Sequence, residues 1–267
     1  MHAFLVAVIL GIVEGLTEFL PVSSTGHLIL AGDLLGYTGE EAKSFEIFIQ
    51  LGAILAVAIM FRKKLWDMAL RWRPKQASGK LTAWHLALAM APAVVVGLVA
   101  YRPIKTYLFS TTTVLAGLVA GGIYMLAAQG FAPAPRAKTL DGVTYWQALG
   151  IGLFQCLALW PGFSRSGATI AGAMLIGVAI RPAAEFSFLL AVPMMVAATG
   201  LDLAKSWREI SPSDGWLFAI GFVVALVVAW VAVAGFLKFL ERVRLGPFAW
   251  YRFTVAALFG AYFFFLK

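Results

Sequence analysis

The sequence predicts an all-α polytopic membrane protein built as an inverted-topology repeat, and three observations predict it. Of 267 residues, 61% are hydrophobic and only 13% are charged, against about 25% charged in soluble domains. Six stretches fall within the roughly 17–25 apolar residues that a membrane-crossing helix needs: 45–61, 82–100, 110–128, 184–203, 215–237 and 248–266. Two further apolar stretches are each interrupted by a polar, glycine-bearing break. The breaks stand 141 residues apart, Ser23-Ser-Thr-Gly26 aligning with Ser164-Arg-Ser-Gly167.

Taken in order, residues 3–20 run into Pro21 and the first break, and a short apolar piece then ends at Gly36. The second limb is too short to cross, so 3–36 reads as a re-entrant helical hairpin. Irregular backbone at its tip is tolerable only inside protein or beside a cavity. The spans 45–61, 82–100 and 110–128 complete a first repeat over 1–130. Residues 131–144 form a cytoplasmic linker. The second repeat, 145–267, opens with a hairpin over 145–180 and adds spans 184–203, 215–237 and 248–266. Three crossings per half is an odd number, so the halves lie in opposite orientation. Broken helices at matching positions of such a repeat point to a midplane site. The N-terminal stretch has no basic flank and is interrupted by Glu14 and Glu18, so it is not expected to be a cleaved signal peptide.

Basic residues set the orientation. The segment 62–81 carries Arg62, Lys63, Lys64, Arg71, Arg73, Lys75 and Lys80, and 238–247 carries Lys238, Arg242 and Arg244. The positive-inside rule puts both in the cytoplasm together with 129–144, and both termini outside. The net charge of +8 thus reflects loops and lipid headgroups rather than nucleic acid. A single cysteine, Cys156, excludes an intramolecular disulfide and suits a buried structural role.

Chemistry concentrates at the two breaks. The first reads Glu14-Gly-Leu-Thr-Glu18-Phe-Leu-Pro21-Val-Ser23-Ser24-Thr25-Gly26-His27, and the second Trp160-Pro161-Gly162-Phe163-Ser164-Arg165-Ser166-Gly167-Ala168-Thr169. Ionisable groups at membrane depth cost several kcal/mol each and are kept when they face one another or a polar cavity. Glu14 and Glu18, four apart, share one helix face. They would bind a divalent cation or orient His27, or simply satisfy backbone groups at the tip. Ser23, Ser24 and Thr25 precede a helix starting near Gly26, and Ser164 and Ser166 precede one near Gly167. Capping explains one hydroxyl in each. Helix N-termini suit phosphate, which makes Ser23, Thr25, Gly26, Ser164, Ser166, Gly167 and Thr169 candidate phosphate-binding residues. Arg165 offers a planar fork for bidentate phosphate contacts, its bland alternative being a pair with Glu14 or Glu18. Ser24 and His27, three apart, suggest a nucleophile with a base, or a histidine that attacks phosphorus itself.

Elsewhere the signals are weaker. Gln50 is a secondary candidate for lining the cavity, and Gln155 and Asp33 are similar. Glu185 reads as a local pair with Arg181, and His2 and His85 as interfacial. Phe263, Phe264 and Phe265 read as lipid-facing.

These two motifs closely resemble the signatures of the bacterial undecaprenyl pyrophosphate phosphatase family, the bacitracin-resistance family. Phe48-Ile-Gln-Leu-Gly-Ala-Ile-Leu-Ala-Val57 and Arg181-Pro-Ala-Ala-Glu-Phe-Ser-Phe-Leu-Leu-Ala-Val-Pro193 are similar to family segments too. The likeness covers essentially the whole chain. It implies hydrolysis of a C55 polyprenyl diphosphate to the monophosphate and inorganic phosphate, recycling the lipid carrier of cell-wall synthesis. It implies a divalent cation (magnesium or calcium), bacitracin resistance and a site open to the outer face of the cytoplasmic membrane. The partners are then the prenyl diphosphate and membrane lipid, with no nucleic acid. A homodimer is allowed, since any helix face can pack a copy. Family roles fall on Glu14, Glu18, Ser23, Ser24 and His27, and on Ser164, Arg165 and Thr169. The rival from another class is an inverted-repeat transporter or flippase of a lipid phosphate or other anion.

Overall fold

A computed structural model describes residues 2–70, 79–108, 110–206, 215–240 and 244–266. Among these the chain is helical, with one isolated parallel bridge between Ala137 and Val178. The first hairpin consists of α1 (His2–Thr17) and α2 (Ser24–Leu34). Next come α3 (Glu40–Met60), the short α4 (Arg62–Leu70), α5 (Ala83–Val99), α6 (Tyr101–Tyr107) and α7 (Thr111–Phe131). The second hairpin is α8 (Tyr145–Gln155), prolonged by the 3-10 turn Cys156–Leu159, and α9 (Arg165–Leu175). The chain closes with α10 (Ile180–Ser206), α11 (Gly215–Phe239) and α12 (Gly246–Ala261), which runs into a π turn at Tyr262–Leu266.

Among the described residues five helices are long and apolar enough to cross a membrane: α3, α7, α10, α11 and α12 together with its π turn. The expected span 82–100 falls on α5, which has 17 residues and contains Pro92. At ~1.5 Å per residue it covers about 26 Å, at the short end of the roughly 17–25 residues that cross a membrane. The basic residues Arg71, Arg73, Lys75 and Arg242, used above for orientation, lie outside the described residues.

The two halves interlock instead of forming separate cores. The first limb of each hairpin packs along a helix of the other half, α1 along α11 and α8 along α5. Glycines make these contacts close. A methyl group on Gly15 would press on Ala225 and Val228, and one on Gly152 would meet the Ala89 backbone. Small residues that let backbones approach are the usual interface of membrane helices. Phe19 of the first tip packs edge-on against Phe188 of α10, centroids 5.4 Å apart, and Phe188 against Phe236 of α11. This apolar cluster draws on both halves and sits beneath the two tips.

The linker is fastened at its end. The N–H groups of Arg136 and Ala137 both donate to the Gly177 carbonyl, and Asp141 accepts from Lys64 and from the Leu81 N–H. His85 is buried in the first turn of α5, where its Nδ1 accepts from the Thr82 N–H and its ring stacks on Tyr145. Thr82 and His85 together form a reciprocal cap, which answers two of the donors at the start of α5. Cys156 is half-buried, its thiol directed at the Gly152 carbonyl. Arg181 and Glu185 form the expected local pair at 3.3 Å. Phe264 and Phe265 are exposed, whereas Phe263 packs on a small cluster with Leu30 and Leu118.

Gly52 of α3 should tolerate no side chain, because a Cβ there would lie on the carbonyl of Phe222 in α11. Gly52→Ala is expected to lower stability by about 1–3 kcal/mol, the usual overpacking cost. Gly130→Ala, where a Cβ meets nothing, should not. Thermal unfolding of the two detergent-purified variants beside the parent checks the contrast.

Candidate active site

The tips are built alike. Ser23 and Ser164 occupy the same place in the repeat, and both have positive φ, 74° and 75°. They are the only non-glycine residues among those described with that sign. Each caps the helix that follows: Ser23 Oγ accepts from the Gly26 N–H at 3.4 Å, and Ser164 Oγ from the Gly167 N–H at 3.1 Å. Strained backbone of this kind costs about 1–3 kcal/mol and gathers at sites where the surroundings over-determine it. Here the cap bond holds the serine in place and points two short helices, α2 and α9, at one region. The helices begin at Ser24 and Arg165, two residues earlier than the glycines suggested.

Between the tips lies a cavity of ≈ 210 Å³. Its polar lining comes from Glu18, Ser23, Ser24 and Thr25 of the first tip, Ser164 and Arg165 of the second, and Gln50 of α3. Ala158, Met195 and Ala198 give it an apolar side. One short polar chain dominates. Ser24 Oγ donates to Glu18 Oε2 at 2.5 Å, and Glu18 Oε1 meets an Arg165 Nη at 3.3 Å. The other Arg165 Nη donates to the Ser187 carbonyl at 3.0 Å. The guanidinium also lies over the Phe19 ring, 5.7 Å from its centroid. Arg165 Nε is buried with no acceptor among the described residues.

The other predicted residues take different places. Glu14 is fully buried one turn below Glu18, and neither carboxylate oxygen has a hydrogen-bond partner among the described residues. Both Glu18 and Arg165 are within its electrostatic reach. Thr169 is buried behind Arg165, sharing a 2.7 Å bond with the Ser187 hydroxyl and donating to the Arg165 carbonyl. Ser166 ties the tips together, donating to the Leu20 carbonyl at 2.9 Å. Gly26 and Gly167 contribute capped N–H groups and no cavity wall. Glu14, Ser166 and Thr169 support the lining residues from behind.

His27 is the main departure. The expected Ser24–His27 pairing does not form, since the Ser24 hydroxyl is turned to Glu18. His27 Nδ1 is bonded to the Ser23 carbonyl at 2.8 Å and Nε2 to the Tyr251 hydroxyl at 2.8 Å. The backbone carbonyl can only accept, so it fixes the proton on Nδ1 and leaves Nε2 to accept from Tyr251. In the first turn of α2 the ring points along its own helix toward α12, away from the cavity wall.

Two functional candidates were missed, Tyr251 and Arg252. Both lie in the stretch 248–266, read above as a plain span. Arg252 is fully buried and donates to carbonyls of both tips and of α7. The signal was available: an arginine in an apolar span is subject to the same membrane cost that singled out Arg165.

Removing one member of a buried ion pair strands the other, at about 3–5 kcal/mol. The Glu18 and Arg165 side chains are 5% and 15% exposed. Arg165→Ala should therefore lower the unfolding midpoint, and adding Glu18→Gln should restore part of the loss. Thermal melts of the single and double variants measure the coupling.

A family model described as bacitracin resistance protein BacA matches residues 7–258, so both tips, the cavity and α12 down to Leu258 lie within the matched region. The chain belongs to this family.

Proposed function

We propose that this chain, as a member of the bacitracin resistance family, is a phosphatase that cleaves undecaprenyl diphosphate to undecaprenyl phosphate and inorganic phosphate. The observation that carries the reading is the Ser24–Glu18–Arg165 chain in a cavity between two capped helix N-termini. A hydroxyl already donating to a carboxylate has its proton acceptor in place. Glu18 takes the proton as Ser24 Oγ bonds to the terminal phosphorus. The bridging P–O bond breaks, its electron pair leaves with the lipid monophosphate, and Glu18 passes the proton to that leaving oxygen. Glu18, again a carboxylate, then takes a proton from water as the water oxygen bonds to phosphorus; the Ser24 Oγ–P bond breaks, Glu18 returns the proton to Oγ, and inorganic phosphate leaves. Arg165 and the N–H groups of the first turns hold the equatorial oxygens, where fixed donors are worth most in a low-dielectric site. His27, held by Tyr251 and directed away from the cavity, would receive or return a proton there only after the Tyr251 bond opens and the ring turns inward.

The lining fits an amphiphile. Ala158, Met195 and Ala198 stand beside the polar groups, so a headgroup can enter while the prenyl chain follows an apolar path into lipid. The site is read as opening to the outer face of the cytoplasmic membrane, because the positive-inside rule puts the loops richest in lysine and arginine in the cytoplasm.

Glu14 and Glu18 would hold a divalent cation, magnesium or calcium. The fit rests on Glu14, whose buried carboxylate oxygens have no other partner among the described residues. No cluster of three or more metal-ligating side chains occurs among those residues. Magnesium commonly takes one or two carboxylates and completes its shell with substrate phosphate and water. When bound, the cation neutralises diphosphate charge.

Phosphate release from a long-chain prenyl diphosphate by purified protein tests the reading. Wild type should turn over. Arg165→Ala should lose about 10²–10³ in kcat, Ser24→Ala, which removes the nucleophile, about 10⁴ or more, and Arg165→Lys should recover little, because an ammonium lacks the planar fork. No release by wild type with divalent cation present would move the assignment to transport of the same class of lipid phosphate. Glu14→Gln should need about tenfold more divalent cation for half-maximal rate, read from a metal titration. An unchanged titration would make Glu14 a positioning group.

A further inference from the structure

Arg252 lies six residues into α12 and its side chain is fully buried. A buried arginine normally has a carboxylate. Among the described residues none pairs with it. Instead every donor arm faces a backbone carbonyl. Nε donates to Leu118 at 3.1 Å. One Nη donates to Gly117 at 3.1 Å and to Gly162 at 2.7 Å. The other reaches Pro21 at 3.5 Å. Gly162 and Pro21 are separated by the same 141 residues that relate the two breaks. Each stands two residues before a positive-φ cap serine. One planar cation thus touches equivalent peptide groups in both tips and ties both to α7.

The surroundings are cut to admit it. A Cβ on Gly121 would overlap the guanidinium, and one on Gly167, in the first turn of α9, would come within 3.2 Å of it. Gly117 lets the second tip lie against α7, where a methyl group would strike the Pro161 carbonyl. These carbonyls belong to non-helical backbone or to a helix whose own bonds leave one lone pair spare. A group with five fixed donors can serve them all at once, whereas a lysine could not.

We propose that Arg252 is a positioning residue that sets the spacing of the two tips, and through it the register of Ser24 and Glu18 on one tip against Arg165 on the other. It does not line the cavity and acts only through the backbone it holds. Loss of its fork lets the tips move independently. A displacement of about 1 Å between reacting groups costs up to ~10²-fold in rate.

The test has two arms. The kinetic arm rests on the phosphatase reading and compares wild type, Arg252→Lys and Gly121→Ala. Lysine keeps the buried charge, and the Gly121 variant displaces the guanidinium without removing it. Both should keep KM within about threefold and lose about 10- to 100-fold in kcat per folded molecule. The second arm needs no turnover. Amide hydrogen exchange of wild type and Arg252→Lys is followed over peptides covering 19–27 and 160–168. Both tips should exchange faster together in the variant, with α10 and α11 unchanged. A kcat within about twofold of wild type, or a loss expressed only in KM, would overturn the proposal. So would exchange that rises at one tip alone, at neither, or throughout the protein. Were wild type inactive but the coupled loosening observed, the phosphatase reading would fail while the positioning role stood.

Discussion

Peptide groups at a broken helix cannot be left unpaired in apolar surroundings, and the arrangement of this protein follows from meeting that demand twice. Each tip exposes the first N–H groups of a new helix and the last carbonyls of the limb before it. Ser23 and Ser164 answer part of the demand by adopting positive φ and accepting from N–H groups of the first turn. The carbonyls are answered from elsewhere in the chain: Leu20 by Ser166, and Pro21 and Gly162 by Arg252. These side-chain partners come from the other tip or from the last helix, so each tip depends on the rest of the molecule for part of its bonding.

That dependence also explains the polarity of the cavity. Two helix N-termini directed at one region bring positive dipole ends together, and Arg165 and Arg252 add two guanidinium groups nearby. Glu18, just past the end of α1, supplies balancing charge through its ion pair with Arg165. Glu18 is shared between Arg165 and Ser24. The hydroxyl, its acceptor and the main anion-binding group are thereby coupled in one line. Glycines at Gly117, Gly121 and Gly152 make this possible by letting the helices of the two halves approach to backbone contact.

Much was legible without coordinates. Apolar length located the helices, because each membrane crossing has a fixed thickness to fill. The two breaks were legible because charge and irregular backbone at membrane depth are too costly to keep without a use, which marked Glu14, Glu18, Ser24 and Arg165. The same logic applied to one residue at a time failed at α12. Arg252 sits alone in an apolar run, with no motif beside it, and its partners are backbone carbonyls that carry no residue signature.

By itself the sequence determined the class of protein, the two broken hairpins, their 141-residue relation and the residue types brought to them, because hydropathy and local capping act over a few residues. Only the tertiary structure decided who bonds to whom. Spacing alone allowed Ser24 to face His27, yet the tip turns the hydroxyl to Glu18 and gives His27 to Tyr251, 224 residues away. It also decided that Glu14 and Thr169 lie behind the cavity and that Arg252 joins the tips. Side-chain direction at a strained turn depends on the packing of distant helices, and no local spacing encodes that.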